Sequence, residues 1–329
     1  MIDFRYHLVS IIAVFLALAV GLVVGSTALS GKAEEALTAA QHKAISDNTA
    51  LRKEKNLLQK EVAEDQALAA ASAQLVLHGL LTGERVVLVA APNANSAVLS
   101  GLTKALHQAG ATVTGEVNLS PAFITTTGQN EATLSELAQS LASNAGLAVT
   151  PQSGSPIAGQ QAAAQVLAAS LVSSSKSLTS TASQQILAGF SQNGFISVGS
   201  GAPADAPAEL AILVTPDGPS AQAASAVLVA VAQELKSAGS AMVMAGSLSS
   251  IGSGSVISAE VSVGPVVSTV DYADTESGQI VVVQALRYLL DGKPPAAYGV
   301  ETGTAPSPAP TPASTPTVKP SATPTAKSH

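Results

Sequence analysis

The sequence contains no cysteine, and this absence excludes several chemistries at once. Without thiols the chain has no disulfides, no thiolate nucleophile and no thiolate metal ligands. Aromatic residues make up only 3% and charged residues only 11%, so the apolar share of 47% is built mainly from small side chains. The net charge is −7 and no large basic cluster is present, which argues against a nucleic-acid partner.

The motifs of nucleotide-binding proteins and of common hydrolases are also missing. The turn after the first predicted strand, residues 91–96, has no glycine that would let the backbone approach a pyrophosphate, and no Walker-type Gly-Lys-Ser/Thr follows. None of the five histidines has a second histidine at i+3 or i+4, so the sequence contains no local histidine pair for copper or zinc. We therefore expect a protein that is not an enzyme and binds neither a cofactor nor a nucleotide.

An uncharged apolar stretch opens the chain. Residues 8–31 contain no charged side chain, and a helix of 24 residues is about 36 Å long, enough to cross a hydrocarbon core of about 30 Å. Arg5 precedes the stretch and favours a cytoplasmic head. The pattern predicts a head over 1–7, a transmembrane helix over 8–30 and a single-pass cell-membrane protein whose bulk is extracytoplasmic. A signal peptide cleaved after the small residues 26–28 is the alternative, and it also predicts export.

Small residues recur every four positions within this span and lie on one helix face. Gly21 and Gly25 form a GxxxG element, which lets two helix backbones approach closely. The sequence therefore predicts that the anchor pairs with another helix through a face that contains Ala13, Ala17, Gly21 and Gly25.

A stalk is predicted over 31–79, because the 47 residues between Gly31 and Gly79 include neither glycine nor proline. Leucine or alanine recurs every seven residues at the d positions, with mostly polar residues at a. Leucine at d with a lone asparagine at a is typical of a parallel two-stranded coiled coil. A solvated single helix, or one packed on the following domain, is the alternative. The expected homodimer would use the anchor and the stalk through Ala17, Gly21, Gly25, Leu37, Asn48, Leu51 and Leu58.

Short apolar runs alternate with helical patterns from residue 80 to residue 300. Strands are predicted at 85–91, 112–117, 195–198, 210–215, 241–245 and 266–270, with helices at 96–108, 131–144, 160–172, 178–191, 220–237 and 276–290. This alternation indicates an exported α/β domain with a Rossmann-like, doubly wound and mainly parallel sheet. Residues 301–329 hold seven prolines among Thr, Ser and Ala, and they are predicted to form a disordered tail.

Two groups of side chains are candidate metal ligands. Met242 and Met244 lie at i and i+2 of a predicted strand and share a face, so they are either soft ligands for Cu(I) or ordinary core residues, and core packing is the preferred interpretation. Asp271 and Asp274 follow a predicted strand and, with Glu276, could bind a cation. The preferred alternative is that Asp274 caps the next helix and Glu276 interacts with its dipole.

The opening residues resemble the start of a known family. The run Met1-Ile-Asp-Phe-Arg-Tyr-His-Leu, continued by AVFLALAVG and a GS pair at residues 25–26, is similar to the mycobacterial copper transport protein B (MctB) family of actinobacteria. The residues Ser268-Thr-Val-Asp271, Thr275, Gly278-Gln279 and Tyr298-Gly299 extend the likeness. The resemblance implies a role in copper export or homeostasis, with copper as a transported or sensed ion. The alternative is a coiled-coil scaffold that partners another envelope membrane protein in wall assembly or division.

Overall fold

The computed structural model describes residues 4–150, 154–173, 178–199, 207–262, 264, 266–300 and 305–306. The chain separates into two compact units, 1–65 and 66–329. Helix α1, Phe4–Leu77, supplies every described residue of the first unit. It ends just before Gly79, which adopts a positive φ of 78° that favours glycine. Within α1, residues Tyr6–Gly25 are long and apolar enough to cross a membrane, judged by length and composition alone.

The second unit contains a mostly parallel sheet, as the sequence predicted. The strands are β1 (Arg85–Ala90), β2 (Thr112–Leu119), β3 (Ile196–Val198), β4 (Leu210–Val214), β5 (Ala241–Ala245), β6 (Ser268–Val270), β7 (Ala297–Gly299) and β8 (Ala305–Pro306). Their order in the sheet is β3-β2-β1-β4-β5-β6-β7-β8. All neighbouring pairs are parallel except β2 and β3. The sheet therefore grows outward in both directions from β1 and β4.

The helices connect the strands at nearly the predicted positions. They are α2 (Ser96–Gln108), α3 (Pro121–Ile124), α4 (Gln129–Ala145), α5 (Ala158–Leu171), α6 (Ser180–Gln192), α7 (Gln222–Ala238), α8 (Val256–Ser262) and α9 (Glu276–Leu290). The sequence did not predict α3, α8, β7 or β8. Each of these elements has two to seven residues, too few for a periodic apolar pattern to stand out.

Two hydrophobic cores lie on opposite faces of the sheet. Alternate residues of β1 enter different cores, with Val87 and Val89 in one and Val86, Leu88 and Ala90 in the other. The first core is completed by residues of α3 to α8, and the second by residues of α2, α9 and the last turns of α1. All five residues of β4 and all five of β5 are buried, as expected for central strands covered by helices on both sides.

Small side chains set the packing of the first core. Helix α5 buries ten residues, of which four are alanine and one is glycine, so neighbouring helices approach its backbone closely. The aromatic contact in this core joins Phe123 and Phe190, with ring centroids 6.3 Å apart. The scarcity of large side chains noted in the sequence is therefore matched by close backbone packing.

Candidate functional site

The loops that follow β1, β4 and β5 meet at the carboxyl edge of the sheet, where open α/β sheets commonly carry their sites. Asp217 lies exposed after β4 and accepts hydrogen bonds from Asn95 Nδ2, at 3.1 Å, and from the Ser247 hydroxyl. Asn93 adopts a left-handed conformation with φ of 61°, and its carbonyl accepts the Asp217 amide at 3.0 Å. Ser249 contacts Ser247 at 2.7 Å between their hydroxyl oxygens. The Asp217 carboxylate therefore joins the loops after β1, β4 and β5 by hydrogen bonds.

The sequence analysis did not single out this polar cluster. Asn95 caps α2, since its side chain accepts the Ala97 amide at 2.9 Å, and this function also fixes its position beside Asp217. A signal was present in the sequence. Asn95 follows the predicted strand at 85–91, and Asp217-Gly218 follows the predicted strand at 210–215. Side chains that follow parallel strands lie at the same edge of the sheet.

Asp271 lies at the end of β6 and is completely buried. Its two carboxylate oxygens accept the Val300 amide at 3.0 and 2.9 Å, and its own amide donates to the Tyr298 carbonyl at 3.2 Å. A Cβ built at Gly299 would overlap the Asp271 carboxylate, and Gly299 has φ of 147°. The carboxylate therefore binds the chain just after β7 and leaves no room for a side chain there.

Asp274 does not cap α9, and this prediction was wrong. Thr275 is the N-cap residue, and its hydroxyl accepts the Gly278 amide at 3.0 Å. The Asp274 carboxylate instead accepts the amide of Leu248, from the loop after β5, at 3.1 Å. Glu276 does lie in the first turn of α9, as predicted, and pairs with Lys104 at 3.0 Å. The loop geometry brings Asp274 to a neighbouring loop and leaves Thr275 at the helix start.

Met242 and Met244 lie on β5 and are buried to 1% and 0% exposure. Both side chains belong to the first core, on the same face, as the i and i+2 spacing predicted. Their register partners on β4 are Ala211 and Leu213. Both thioethers therefore lie in a hydrophobic core.

No group of three or more His, Asp or Glu side chains suited to a metal ion occurs among the described residues. Met242 and Met244 lie in the first core, whereas the carboxylates of Asp271 and Asp274 accept the amides of Val300 and Leu248. His7, His42, His78 and His107 are exposed and spread over α1 and α2, or just beyond α1, whereas His329 lies outside the described residues.

The predicted pairing residues all lie on α1. Leu37, Asn48, Leu51 and Leu58 are exposed, and a Cβ built at Gly21 or Gly25 would meet nothing within 4 Å. Ala17 is exposed as well. These positions are therefore accessible in the single chain, while pairing itself stays a prediction.

A serine-rich groove of about 600 Å³ lies between the N-terminal half of α7 and α8. The Ser225 hydroxyl at its wall is buried and makes no hydrogen bond. Among the described residues that line the groove none is charged, and their polar side chains are hydroxyls and one amide. Its lining comprises Ser220, Gln222, Ser225, Ala226, Val229, Ser253, Gly254, Ser255, Ser258, Ala259 and Ser262.

Tyr298 lies on β7, and the pKa of its phenol is shifted. Burial raises the pKa of Tyr298 above its usual value, and the nearby Tyr288 raises it further. The phenol therefore stays neutral well above neutral pH. Tyr298 is buried and pairs in register with Val270, the last residue of β6.

These features define a class: an α/β protein with a mostly parallel sheet, preceded by a long helix whose first turns are apolar enough to span a membrane. A family model described as "Copper transport outer membrane protein, MctB" matches residues 1–309. The chain belongs to this MctB family, and the resemblance drawn from its opening residues is confirmed.

Similar proteins carry the same family name. The copper transporter MctB of Mycobacterium tuberculosis (strain ATCC 25618 / H37Rv) is 29% identical over 315 residues, which is 92% of this chain and 98% of the relative. The copper transporter MctB of Mycobacterium leprae (strain TN) is 29% identical over 334 residues, with the same two coverages. The likeness therefore spans nearly the full length of both proteins.

Proposed function

We propose that this chain is a single-pass, membrane-anchored envelope protein that acts in copper export or homeostasis. The observation that carries the proposal is the match to the copper transport family over residues 1–309. In this proposal Tyr6–Gly25 is retained in the bilayer, the short head is cytoplasmic and the second unit is extracytoplasmic. The length and composition of that helix support the anchor.

The mechanism we propose is non-enzymatic and works through assembly. One span cannot form a pore, because a pore needs several helices or a closed barrel around water. The soft ligands of the described chain, Met242 and Met244, are buried in the core. Copper movement would therefore depend on further copies or on another membrane protein, with the Rossmann-like, doubly wound domain as the part that contacts it. The strand order around β1 and β4 supports that description of the domain.

Cellular copper tests this function. The full chain is expressed in a mycobacterial strain that lacks its MctB relative, and cell-associated copper is measured by mass spectrometry with growth on a copper series. We expect lower copper content and restored growth. The matched control is Leu16→Arg, which places a charge in the middle of the proposed span at a cost of about 2.5–3.5 kcal/mol. If the wild-type chain leaves copper content and growth unchanged, the copper role is wrong.

Topology needs a separate test, because export and copper handling can fail independently. The chain has no cysteine, so one introduced thiol gives a unique label. Ser100→Cys on α2 is exposed, and it should react with a membrane-impermeant maleimide in intact spheroplasts. Asp3→Cys, in the short head, should react only after the membrane is opened. Equal protection of both positions would contradict the proposed orientation, and a mature N-terminus near Leu29 would contradict the retained anchor.

A scaffold is the second candidate, because α1 exposes a long apolar face that a partner could cover. Cu(I) affinity of the full chain in detergent separates the two candidates. Stoichiometric copper binding supports the copper role. A protein that binds no copper, changes no cellular copper and co-purifies with another membrane protein supports the scaffold.

A further inference from the structure

An apolar stripe runs along α1 beyond the proposed span and is uncovered in the single chain. Leu51, Leu58 and Val62 are 64%, 54% and 56% exposed. They fall at the d, d and a positions of one heptad frame, in which Leu37 and Ala44 are the preceding d residues. Side chains at a and d of a continuous helix lie on one face, so these residues form a single seam, which we call the stalk seam.

Two grooves follow the stalk seam and have the composition of coiled-coil holes. The larger groove, about 520 Å³, is lined by Leu51, Glu54, Lys55 and Leu58, which occupy the heptad positions d, g, a and the next d. In a coiled coil each a or d side chain inserts into a hole formed by four residues of the facing helix. A second groove of about 320 Å³ includes Ala44, Ile45 and Asn48 at d, e and a. Both grooves therefore lie along the stalk seam.

The charges beside the seam select both the partner and its direction. Asp47, Glu54 and Glu61 occupy the g positions, while Arg52 occupies an e position. In a parallel pair g faces the e′ residue five positions further along the other chain, so Asp47 meets Arg52 of a second copy. In an antiparallel pair the g positions face one another, and the three acidic side chains would repel. None of the three ion pairs in the described part of the chain uses these residues.

We infer that the stalk seam pairs with a second copy of this chain as a parallel, in-register two-stranded coiled coil. The same stretch supplies Asp47 and Arg52, so two identical helices satisfy both ion pairs by symmetry. Lys55 at a lies beside Glu54 at g of the other copy, which offsets the cost of a cation in the seam. Asn48 at a fixes the register, because two asparagines in one layer can bond only to each other. The inference does not depend on the copper role.

Adjacent leucines provide a matched pair of probes. Leu58 lies at d in the seam, whereas Leu57 lies at c, outside it, and the two are similarly exposed at 54% and 59%. Each is changed to cysteine in the full chain, which otherwise has none, and the protein is oxidised in membranes at low density. We expect several-fold more disulfide dimer for Leu58→Cys than for Leu57→Cys. Equal cross-linking of the two variants, or none in either, overturns the inference.

The direction of pairing is tested by a second position. Leu37→Cys and Leu58→Cys lie 21 residues apart, about 32 Å along a helix. Both form self-disulfides in a parallel in-register pair, whereas a symmetric antiparallel pair brings together at most one of them.

A charge swap tests the direction of pairing independently. In a parallel pair, Asp47→Arg should lower the dimer fraction, and the double variant Asp47→Arg/Arg52→Asp should restore it. A higher dimer fraction with Asp47→Arg alone would indicate antiparallel pairing and refute the inference.

Discussion

The sulfur atoms of Met242 and Met244 are the only ones in the chain apart from Met1, so two substitutions remove every internal soft ligand. Both side chains are at most 1% exposed and belong to one core. Methionine and leucine have similar volumes, and such exchanges usually cost less than about 1.5 kcal/mol each. Truncation to alanine leaves a cavity and costs about 2–5 kcal/mol. The two kinds of variant therefore separate sulfur chemistry from packing.

We expect Met242→Leu/Met244→Leu to fold and to keep the wild-type effect on cellular copper. Met244→Ala should lower the melting temperature by roughly 4–20 °C, because about 1 kcal/mol corresponds to about 2–4 °C in a unit of this size. Thermal unfolding followed by circular dichroism in one detergent gives the stability, and mass spectrometry of cell copper gives the function. The two variants are expressed beside the wild type at matched protein levels.

One result would refute this reasoning. If the double leucine variant melts within a few degrees of the wild type but no longer changes cellular copper, the thioethers are functional ligands and the core interpretation is incomplete. A double variant that melts as low as Met244→Ala would show that the sulfurs contribute to packing more than volume alone predicts. Retained copper handling in a stable double variant would place any copper ligands among oxygen and nitrogen atoms or in another protein.

Three further predictions follow from the second unit. Asp271→Ala should lower the melting temperature more than Asp271→Asn, because alanine removes the acceptor of the Val300 amide, and a hydrogen bond to a charged group contributes about 1.5–3 kcal/mol, whereas an asparagine oxygen can still accept that amide. Gly278→Ala should destabilise by roughly 1–3 kcal/mol in a denaturant titration, since its Cβ would overlap the carbonyl oxygen of Tyr272. The phenol of Tyr298 should ionise above the usual tyrosine pKa in an absorbance titration, and Tyr298→Phe should remove that late step.

The direction of the Tyr298 pKa shift determines the pH range in which Tyr298 affects stability. Its pKa in the folded protein lies above the unfolded value of about 10, so the neutral phenol stabilises the fold fully below that pH. This contribution is lost as the pH rises through the higher, folded-state pKa. The wild type should therefore lose stability more steeply above pH 10 than Tyr298→Phe does. If the stability of the wild type and of Tyr298→Phe depends on pH in the same way, the raised pKa of Tyr298 is contradicted. Equal melting temperatures for Asp271→Ala and Asp271→Asn would contradict the role given to the Asp271 carboxylate.

Local patterns were enough to predict much of the fold. The apolar helix segment Tyr6–Gly25 and the continuous burial of β4 and β5 depend on side chains that are neighbours in sequence. The glycines at 79 and 110 mark chain reversals because only glycine adopts a positive φ at low cost. The family was recognisable from the opening residues for the same reason, since those residues form one contiguous segment.

The candidate site was harder to predict because its parts come from distant segments. Asn95 and Asp217 are 122 residues apart, and Ser247 joins them only because β1, β4 and β5 are neighbours in the sheet. The capping of α9 shows the same limit at short range. Both Asp274 and Thr275 have side chains suited to an N-cap, and the Leu248 amide from another loop decides between them.

The sequence by itself determined the apolar helix, the alternation of strands and helices and the family, because each depends on the spacing of residues along one segment. Only the tertiary structure decided which loops share the carboxyl edge, which residue caps α9 and that Met242 and Met244 lie in the first hydrophobic core. Strand order brings these groups together across long stretches of chain, and a one-dimensional pattern does not encode which strands become neighbours.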